Sequence, residues 1–165
     1  MWATKAHSVS LGNATKSYPG LAVIDTGTSQ VTLPKPAFDF LVEQWHQKLG
    51  SNLSCPSQTS KFCTVQLPCS LAREALPPLS LALDGATLQV DSSAYTFASG
   101  ASKCQLTLLP TSLPAPHSDI YLIGQLLLKH FYTVFDFEKQ RVLLGASLNS
   151  QESRIHGGAD KVIVS

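Results

Sequence analysis

The residue with the clearest potential for chemistry is Asp25, which opens the run Asp-Thr-Gly-Thr-Ser at residues 25–29, directly after the apolar residues 21–24. A tight turn of small residues after an apolar strand leaves backbone N–H groups free to donate to a carboxylate, and Gly27 permits the close approach. Such donors lower the pKa of an aspartate whereas burial raises it, so a carboxylate here could be tuned for acid–base catalysis. The alternative is an ordinary turn residue at a strand end, and the triplet Asp-Thr-Gly taken alone favours that alternative.

Composition limits the chain to one globular unit and excludes several function classes. With 165 residues, 44% hydrophobic and 14% charged, it can bury one sizeable core. The net charge of +1, without a basic stripe, predicts no nucleic-acid surface. No apolar run is long enough to predict a membrane segment, and the first residues lack the basic-then-apolar layout of a signal peptide.

The four cysteines point to an oxidising compartment, although the chain shows no export signal. An even set in Pro- and Ser-rich surroundings predicts two disulfides, for which three pairings are possible: Cys55, Cys63, Cys69 and Cys104. Zinc is the competing explanation, but no Cys-x-x-Cys pair and no spaced His pair accompanies them, and the five histidines are scattered. We therefore predict no metal and no cofactor. A disulfide-bonded chain without an export signal is either intracellular with free thiols or a piece of a longer protein.

Short strands separated by turn signals predict an all-β fold. Two hairpins are expected early and in the middle of the chain, turned at Gly12-Asn13 and Asp84-Gly85. The predicted strands are residues 2–11, 21–24, 64–67, 79–83, 86–90, 95–98, 104–109, 120–123, 132–137 and 141–146.

Helices are expected to be few. Pro36 in a first turn, an apolar stripe and Gly50 predict one good helix over residues 37–49. A short helix is predicted at residues 125–130. Irregular structure tied by disulfides is expected over residues 50–78, a surface loop over residues 111–118, and a polar, mobile tail over residues 148–165.

Taken in order, these pieces resemble the carboxy-terminal lobe of a two-lobed pepsin-family aspartic protease. The resemblance extends from Trp2 to residue 146. It rests on the motifs at residues 22–29, 79–85, 93–95, 122–124 and 131–136. It implies a single six-stranded, barrel-like lobe over residues 1–147, with a ψ-shaped loop and one or two short helices.

The resemblance also implies roles for individual residues. Asp25 would be one of two aspartates that share a proton and activate a water to attack a peptide carbonyl of a polypeptide substrate. Thr28 would send its hydroxyl across the symmetry axis to the second loop, and Gly124 would cross beneath Asp25. The remaining loop residues would support the loop and contact the substrate: Thr26, Gly27 and Ser29.

The same resemblance implies a disulfide pairing and one change of residue type. Cys69 and Cys104 fit the usual disulfide of the lobe, which leaves Cys55 and Cys63 for a local loop. Gln125 stands where an aspartate often follows the Ile-Gly pair, and we expect it to alter helix capping more than chemistry.

Departures from the family pattern set three competing hypotheses. The sequence has one Asp-Thr-Gly where the mechanism needs two, and no flap tyrosine, since Tyr95 belongs to the wrong lobe; Met1 stands where the first strand would already be under way. The first hypothesis is the catalytic half of a truncated acid endopeptidase, inactive until an amino-terminal lobe is supplied in cis or in trans. The second is a non-catalytic peptide-binding or inhibitory lobe, and the third is a homodimeric protease. In each case the bare partner face predicts self-association or aggregation.

The location and any glycosylation depend on whether the chain enters the secretory pathway. The resemblance and the cysteines imply the secretory pathway, ending outside the cell or in an acidic vacuole or lysosome. Asn13-Ala14-Thr15 and Asn52-Leu53-Ser54 are glycan acceptors only if the chain enters that route.

Overall fold

Strands dominate the computed structural model, which describes residues 1–58, 61–147, 153–156 and, by backbone alone, 163–164. The strands are β1 (Trp2–Leu11), β2 (Ala14–Ile24), β3 (Val31–Leu33), β4 (Leu53–Ser54), β5 (Cys63–Val65), β6 (Leu79–Leu83), β7 (Ala86–Val90), β8 (Thr96–Ala98), β9 (Cys104–Leu106), β10 (Leu108–Pro110), β11 (Ile120–Ile123), β12 (Phe131–Asp136), β13 (Arg141–Ala146), β14 (Ser153–His156) and β15 (Ile163–Val164). The helices are α1 (Lys35–Leu49), α2 (Cys69–Ala75) and α3 (Gln125–Leu128), with 3₁₀ turns at Gly50–Asn52 and Ser92–Tyr95.

The largest sheet has eight strands in the order β10-β3-β11-β2-β1-β6-β7-β14. β1 and β2 form a long antiparallel hairpin in which Trp2 lies opposite Ile24, and β6 and β7 form the second predicted hairpin. β11 joins β2 in parallel, while β10 joins β3 in parallel. The all-β, single-lobe prediction is confirmed, although this sheet has eight strands where six were expected. Two smaller sheets have the strand orders β12-β13-β15 and β4-β5-β9-β8.

α1 contributes several side chains to the core, among them Phe38, Leu41 and Trp45. Trp45 is fully buried, stacks on Tyr95 at a ring-centroid distance of 6.4 Å, and meets the edge of Phe38 at 6.1 Å. The helix has a proline in its first turn and is followed by Gly50 with φ +57°, a conformation that glycine adopts without strain. The predicted helix is therefore confirmed, with a start two residues earlier.

Both disulfides implied by the family resemblance are present. Cys55 is bonded to Cys63 across 8 residues of sequence, and Cys69 to Cys104 across 35. The longer bridge ties α2 to β9, and the shorter one closes the loop before β5. The predicted disulfide pairing is confirmed.

The expectation of irregular structure over residues 50–78 is wrong for residues 69–75, which form α2. Pro68 precedes this helix, Ala72 is buried, and Cys69 is held by its disulfide. Seven residues are too short for a helical period to stand out in the sequence. Tertiary packing and the disulfide fix α2, and local preference alone does not.

Two segments of the predicted tail are strands. β14 pairs with β7, and β15 pairs with β13. In β14, Ser153 is buried and donates a hydrogen bond to the carbonyl of His130, while Ile155 packs against the core. These contacts to distant residues are not visible in a polar sequence. The rest of the predicted tail lies outside the described residues.

Among the described helices, none combines the length and the hydropathy that crossing a bilayer requires.

Candidate active site

Asp25 directly follows the last residue of β2, a strand in the interior of the large sheet. Ile24 lies opposite Ile123 in the parallel pair β2–β11, and the Asp25 N–H donates to the Ile123 carbonyl at 3.1 Å. Ala22, Val23 and Ile24 are buried, whereas Asp25 itself is only partly covered. An apolar strand anchored on both sides therefore ends by presenting a carboxylate at the surface.

Two donors of the same loop hold the Asp25 carboxylate. The Gly27 N–H donates to Oδ1 at 2.9 Å, and the Thr28 hydroxyl donates to Oδ2 at 2.5 Å. The Thr28 hydrogen bond, followed by the Gly27 N–H, lowers the pKa of Asp25 below its ordinary value of 3.8, against a small opposing effect of burial. The loop therefore favours the ionised form of this carboxylate.

Gly27 meets the steric requirement that the sequence suggested. A Cβ at this position would lie 3.2 Å from Asp25 Oδ1, closer than most side chains tolerate. The amide of Gly27 can thus approach the carboxylate because the residue carries no side chain.

In this lobe the Thr28 hydroxyl donates to Asp25, and the N–H of Thr28 closes a turn on the Asp25 carbonyl at 3.4 Å. The role expected for this hydroxyl at a second loop concerns a second lobe and stays a prediction. Thr26 and Ser29 are exposed, and no hydrogen bond engages either hydroxyl within the described part of the chain. Thr26 and Ser29 are therefore the loop hydroxyls open to a substrate or partner.

Gly124 lies directly against the backbone of the loop. A Cβ on Gly124 would lie 2.1 Å from the Gln30 carbonyl oxygen and 2.4 Å from that of Thr28. Backbone atoms cannot withdraw as a flexible side chain could, so only glycine fits this crossing. The Leu126 N–H adds a hydrogen bond to the Ser29 carbonyl at 3.0 Å.

Gln125 is the supporting residue whose contact sequence reasoning missed. Its side-chain Nε2 donates to the Thr26 carbonyl at 2.6 Å, and its N–H donates to the Thr28 carbonyl at 2.8 Å. The side chain makes no capping hydrogen bond to α3. Nothing in the sequence could reveal this contact, since it joins residues 99 positions apart.

An open apolar depression of about 570 Å³ adjoins the loop. Asp25 and Thr26 form part of its edge, and the other lining residues are Met1, Trp2, Val23, Ile24, Leu113, Ile120, Leu122, Phe135 and Phe137. Trp2 packs on Phe135 and Phe137 at ring-centroid distances of 5.6 and 5.2 Å, yet Phe137 remains 70% exposed. The carboxylate is thus bordered by a partly exposed aromatic surface, here called the aromatic face (Trp2, Phe135 and Phe137).

Metal-ligating side chains do not cluster around this loop. Within residues 1–58, 61–147 and 153–156, no three histidine, cysteine, aspartate or glutamate side chains gather as ligands would.

In this β-lobe, a buried strand ends at Asp-Thr-Gly, and the loop lies against Gly124. This is the architecture of a pepsin-like aspartic protease. Residues 1–147 match the family model described as eukaryotic aspartyl protease, and the chain belongs to this family.

Curated relatives include vacuolar and gastric proteases. The vacuolar aspartic protease of Candida albicans is 30% identical over 121 residues, covering 73% of this chain and 26% of the relative. A probable vacuolar protease A of Arthroderma benhamiae is 25% identical over 142 residues, covering 86% of this chain and 32% of the relative. Gastricsin of Suncus murinus is 27% identical over 122 residues, covering 73% of this chain and 28% of the relative. The chain therefore spans about a quarter to a third of the length of these relatives.

Proposed function

We propose that this chain is the carboxy-terminal, catalytic half of an acid endopeptidase and that Asp25 is one of its two catalytic aspartates. The observation that carries this proposal is the carboxylate at the end of β2, held by the Gly27 N–H and the Thr28 hydroxyl beside an open depression. Family membership supplies the reaction class, which is hydrolysis of peptide bonds by a water activated between two aspartates.

The mechanism assigns Asp25 the ionised position of the pair. Two carboxylates a few ångströms apart cannot both ionise readily, so they share one proton, and pepsin is the usual example of this behaviour. Two donors already stabilise the Asp25 anion, so the partner aspartate would retain the proton at acidic pH. Asp25 would accept a proton from the bound water as its oxygen attacks the carbonyl carbon, while the protonated partner would donate to the carbonyl oxygen.

The second aspartate must come from another lobe. The sequence holds a single Asp-Thr-Gly, and one carboxylate cannot be protonated and ionised at once. We propose that an amino-terminal lobe, supplied in cis or in trans, covers the aromatic face and brings this group. The isolated chain would then be inactive.

We also propose a luminal location, in the secretory pathway or an acidic vacuole. The two disulfides favour an oxidising compartment. Vacuolar names among the relatives agree with this location.

The test compares the chain alone with the chain mixed with the amino-terminal lobe of the Candida relative, using a quenched fluorescent peptide library between acidic and neutral pH. Hydrolysis is expected at acidic pH in the mixture only, and Asp25→Asn should abolish it while Ser70→Ala, at an exposed position on α2, retains it. Activity of the chain alone that rises with the square of its concentration would favour the homodimer. Peptide binding without hydrolysis in the mixture and in the full-length product of the native transcript would favour the binding module.

A further inference from the structure

The two glycan acceptor triplets stand in opposite structural settings. We propose that Asn13 carries an N-linked oligosaccharide and that Asn52 does not. This inference rests on the luminal location proposed above, because the transferring enzymes act only there. The class of donor is a polyprenyl-diphosphate-linked oligosaccharide.

Asn13 lies in the turn between β1 and β2, with its side chain exposed. Among the described residues no hydrogen bond engages that side chain. The neighbouring Gly12 has φ +58° and donates its N–H to the Pro78 carbonyl at 2.9 Å, which fixes the turn without using Asn13. Thr15, the hydroxyl residue of the triplet, is also exposed. A sugar on Asn13 Nδ2 would therefore project into solvent without displacing any protein contact.

Asn52 is partly buried in the 3₁₀ turn that follows α1. The side-chain Nδ2 of Asn52 donates to the Leu49 carbonyl at 3.3 Å, and the backbone carbonyl of Asn52 accepts the Gln66 N–H at 2.8 Å. A sugar on Nδ2 would have to occupy the space against the last turn of α1, where Leu49 is buried. The folded chain therefore disfavours a glycan at Asn52, in contrast to Asn13.

The position of Asn13 also leaves the candidate active site free. Trp2 and Ile24 pair at the opposite end of the same hairpin, beside Asp25. A ten-residue strand such as β1 spans about 30 Å. An oligosaccharide on Asn13 would neither cover the depression nor obstruct a lobe docked on the aromatic face.

The transfer forms a bond between Asn13 Nδ2 and the anomeric carbon of the first sugar. The bond from that carbon to the diphosphate oxygen breaks, and the polyprenyl diphosphate leaves with the electron pair. One amide proton is released and the other stays on the nitrogen, so no oxidant or reductant is involved.

The test uses the full chain behind a cleavable leader, expressed in eukaryotic cells and recovered from the medium or from the luminal fraction. The probe is a glycosidase that cleaves the sugar–asparagine bond in heavy-oxygen water, which converts a glycosylated asparagine to a mass-labelled aspartate. The variants are Asn13→Gln, Thr15→Ala, Thr15→Ser and Asn52→Gln. Non-reducing electrophoresis checks that each keeps its disulfides.

The label is expected at residue 13 in the wild type, in Thr15→Ser and in Asn52→Gln, and the gel shift on deglycosylation should vanish in Asn13→Gln and Thr15→Ala. An unmodified Asn13 in luminal protein, or a glycan on Asn52, would overturn the proposal. The leader guarantees entry, so an unmodified Asn13 here leaves the location proposal standing. That proposal is tested separately: native protein found in the cytosol with reduced cysteines would contradict it.

Discussion

At the level of single residues, Asp25 owes its favoured ionisation to donors in its own loop. Both carboxylate oxygens are bonded within three residues of sequence. No cationic side chain is among the causes that lower its pKa. The anion is therefore stabilised locally, before any second lobe contributes, and it responds directly to changes in the loop.

Thr28→Val should raise the pKa of Asp25 toward its ordinary value of 3.8, because it removes the largest stabilising contact of the anion. The wild-type pKa lies below the unfolded value, so Asp25 stabilises the fold above pH 3.8, and this contribution is lost as the pH falls through the folded pKa. As the pH falls through the folded pKa of Asp25, the free energy of unfolding should fall less in Thr28→Val than in the wild type. Titration of the carboxyl carbon by NMR measures the pKa, with Ser29→Ala as the control that leaves it in place. An unchanged titration in Thr28→Val would contradict this assignment.

Gly124→Ala should destabilise the chain by about 3 kcal/mol, a value typical of overpacking against atoms that cannot move. The added carbon would lie 2.1 and 2.4 Å from two backbone oxygens. Gly145→Ala is the matched control, since its nearest contact would be an ordinary 3.8 Å to the side chain of Tyr132. Urea unfolding of both variants measures the difference, and equal stabilities would show that the loop can yield.

At the level of elements, the corner between β11 and α3 supports the Asp25 loop from below. It supplies hydrogen bonds to the carbonyls of Thr26, Thr28 and Ser29. The corner is built from residues far along the chain, so the loop reaches its final form only when β11 has docked beside β2. Formation of the site is thereby coupled to completion of the sheet.

Gln125→Ala should loosen this support. The loss of one hydrogen bond is worth about 1 kcal/mol of stability. The pKa of Asp25 should rise, because the Gly27 and Thr28 donors are less firmly placed when the Thr26 carbonyl is released. Gln47→Ala, an exposed position on α1, is the control for loss of a glutamine side chain. If the two variants titrate alike, Gln125 plays no part in positioning the loop.

The two disulfides should differ in their effect on stability. Loop-closure entropy predicts a loss of about 4 kcal/mol for Cys69→Ala/Cys104→Ala and about 2.5 kcal/mol for Cys55→Ala/Cys63→Ala. The difference follows from loops of 35 and 8 residues. Denaturant unfolding of the two double variants gives the comparison. When all proteins are reduced first, the difference in free energy of unfolding between the variants should disappear. A larger loss from the shorter bridge would show that packing outweighs chain entropy.

Features with strong local signals were predictable from the sequence, whereas long-range contacts were not. Pro36 and Gly50 mark α1, and the turn at Asp84-Gly85 marks the second hairpin. By contrast, α2 depends on a disulfide to β9, and β14 depends on a place beside β7. Neither partnership has a local signature.

The same division holds at the candidate site. The apolar strand and small-residue turn singled out Asp25, whereas the roles predicted for Asp25 and Gly124 came from the family resemblance. Sequence reasoning did not anticipate that the Thr28 hydroxyl bonds Asp25 or that Gln125 contacts the Thr26 carbonyl. Both depend on side-chain direction within a three-dimensional corner, which residue spacing does not specify.

At the level of the whole molecule, the aromatic face and Asp25 lie together. Asp25 and Thr26 border the same depression as Trp2 and Phe137. A partner that supplied a second aspartate would therefore also cover exposed aromatic surface, and the two requirements would be met by one contact. A chain without that partner retains the apolar surface and should associate with itself.

Phe137→Glu should weaken this self-association roughly tenfold, which corresponds to about 1.4 kcal/mol. The substitution puts a charge on a side chain that is 70% exposed, so the folded monomer has little to lose. Phe97→Glu is the matched control, because Phe97 is 63% exposed on β8 and does not line the depression. Sedimentation velocity over a concentration series measures both. If Phe97→Glu disrupts association as strongly as Phe137→Glu, the contact does not run through the face that borders Asp25, and a partner lobe docked there would have to be placed elsewhere.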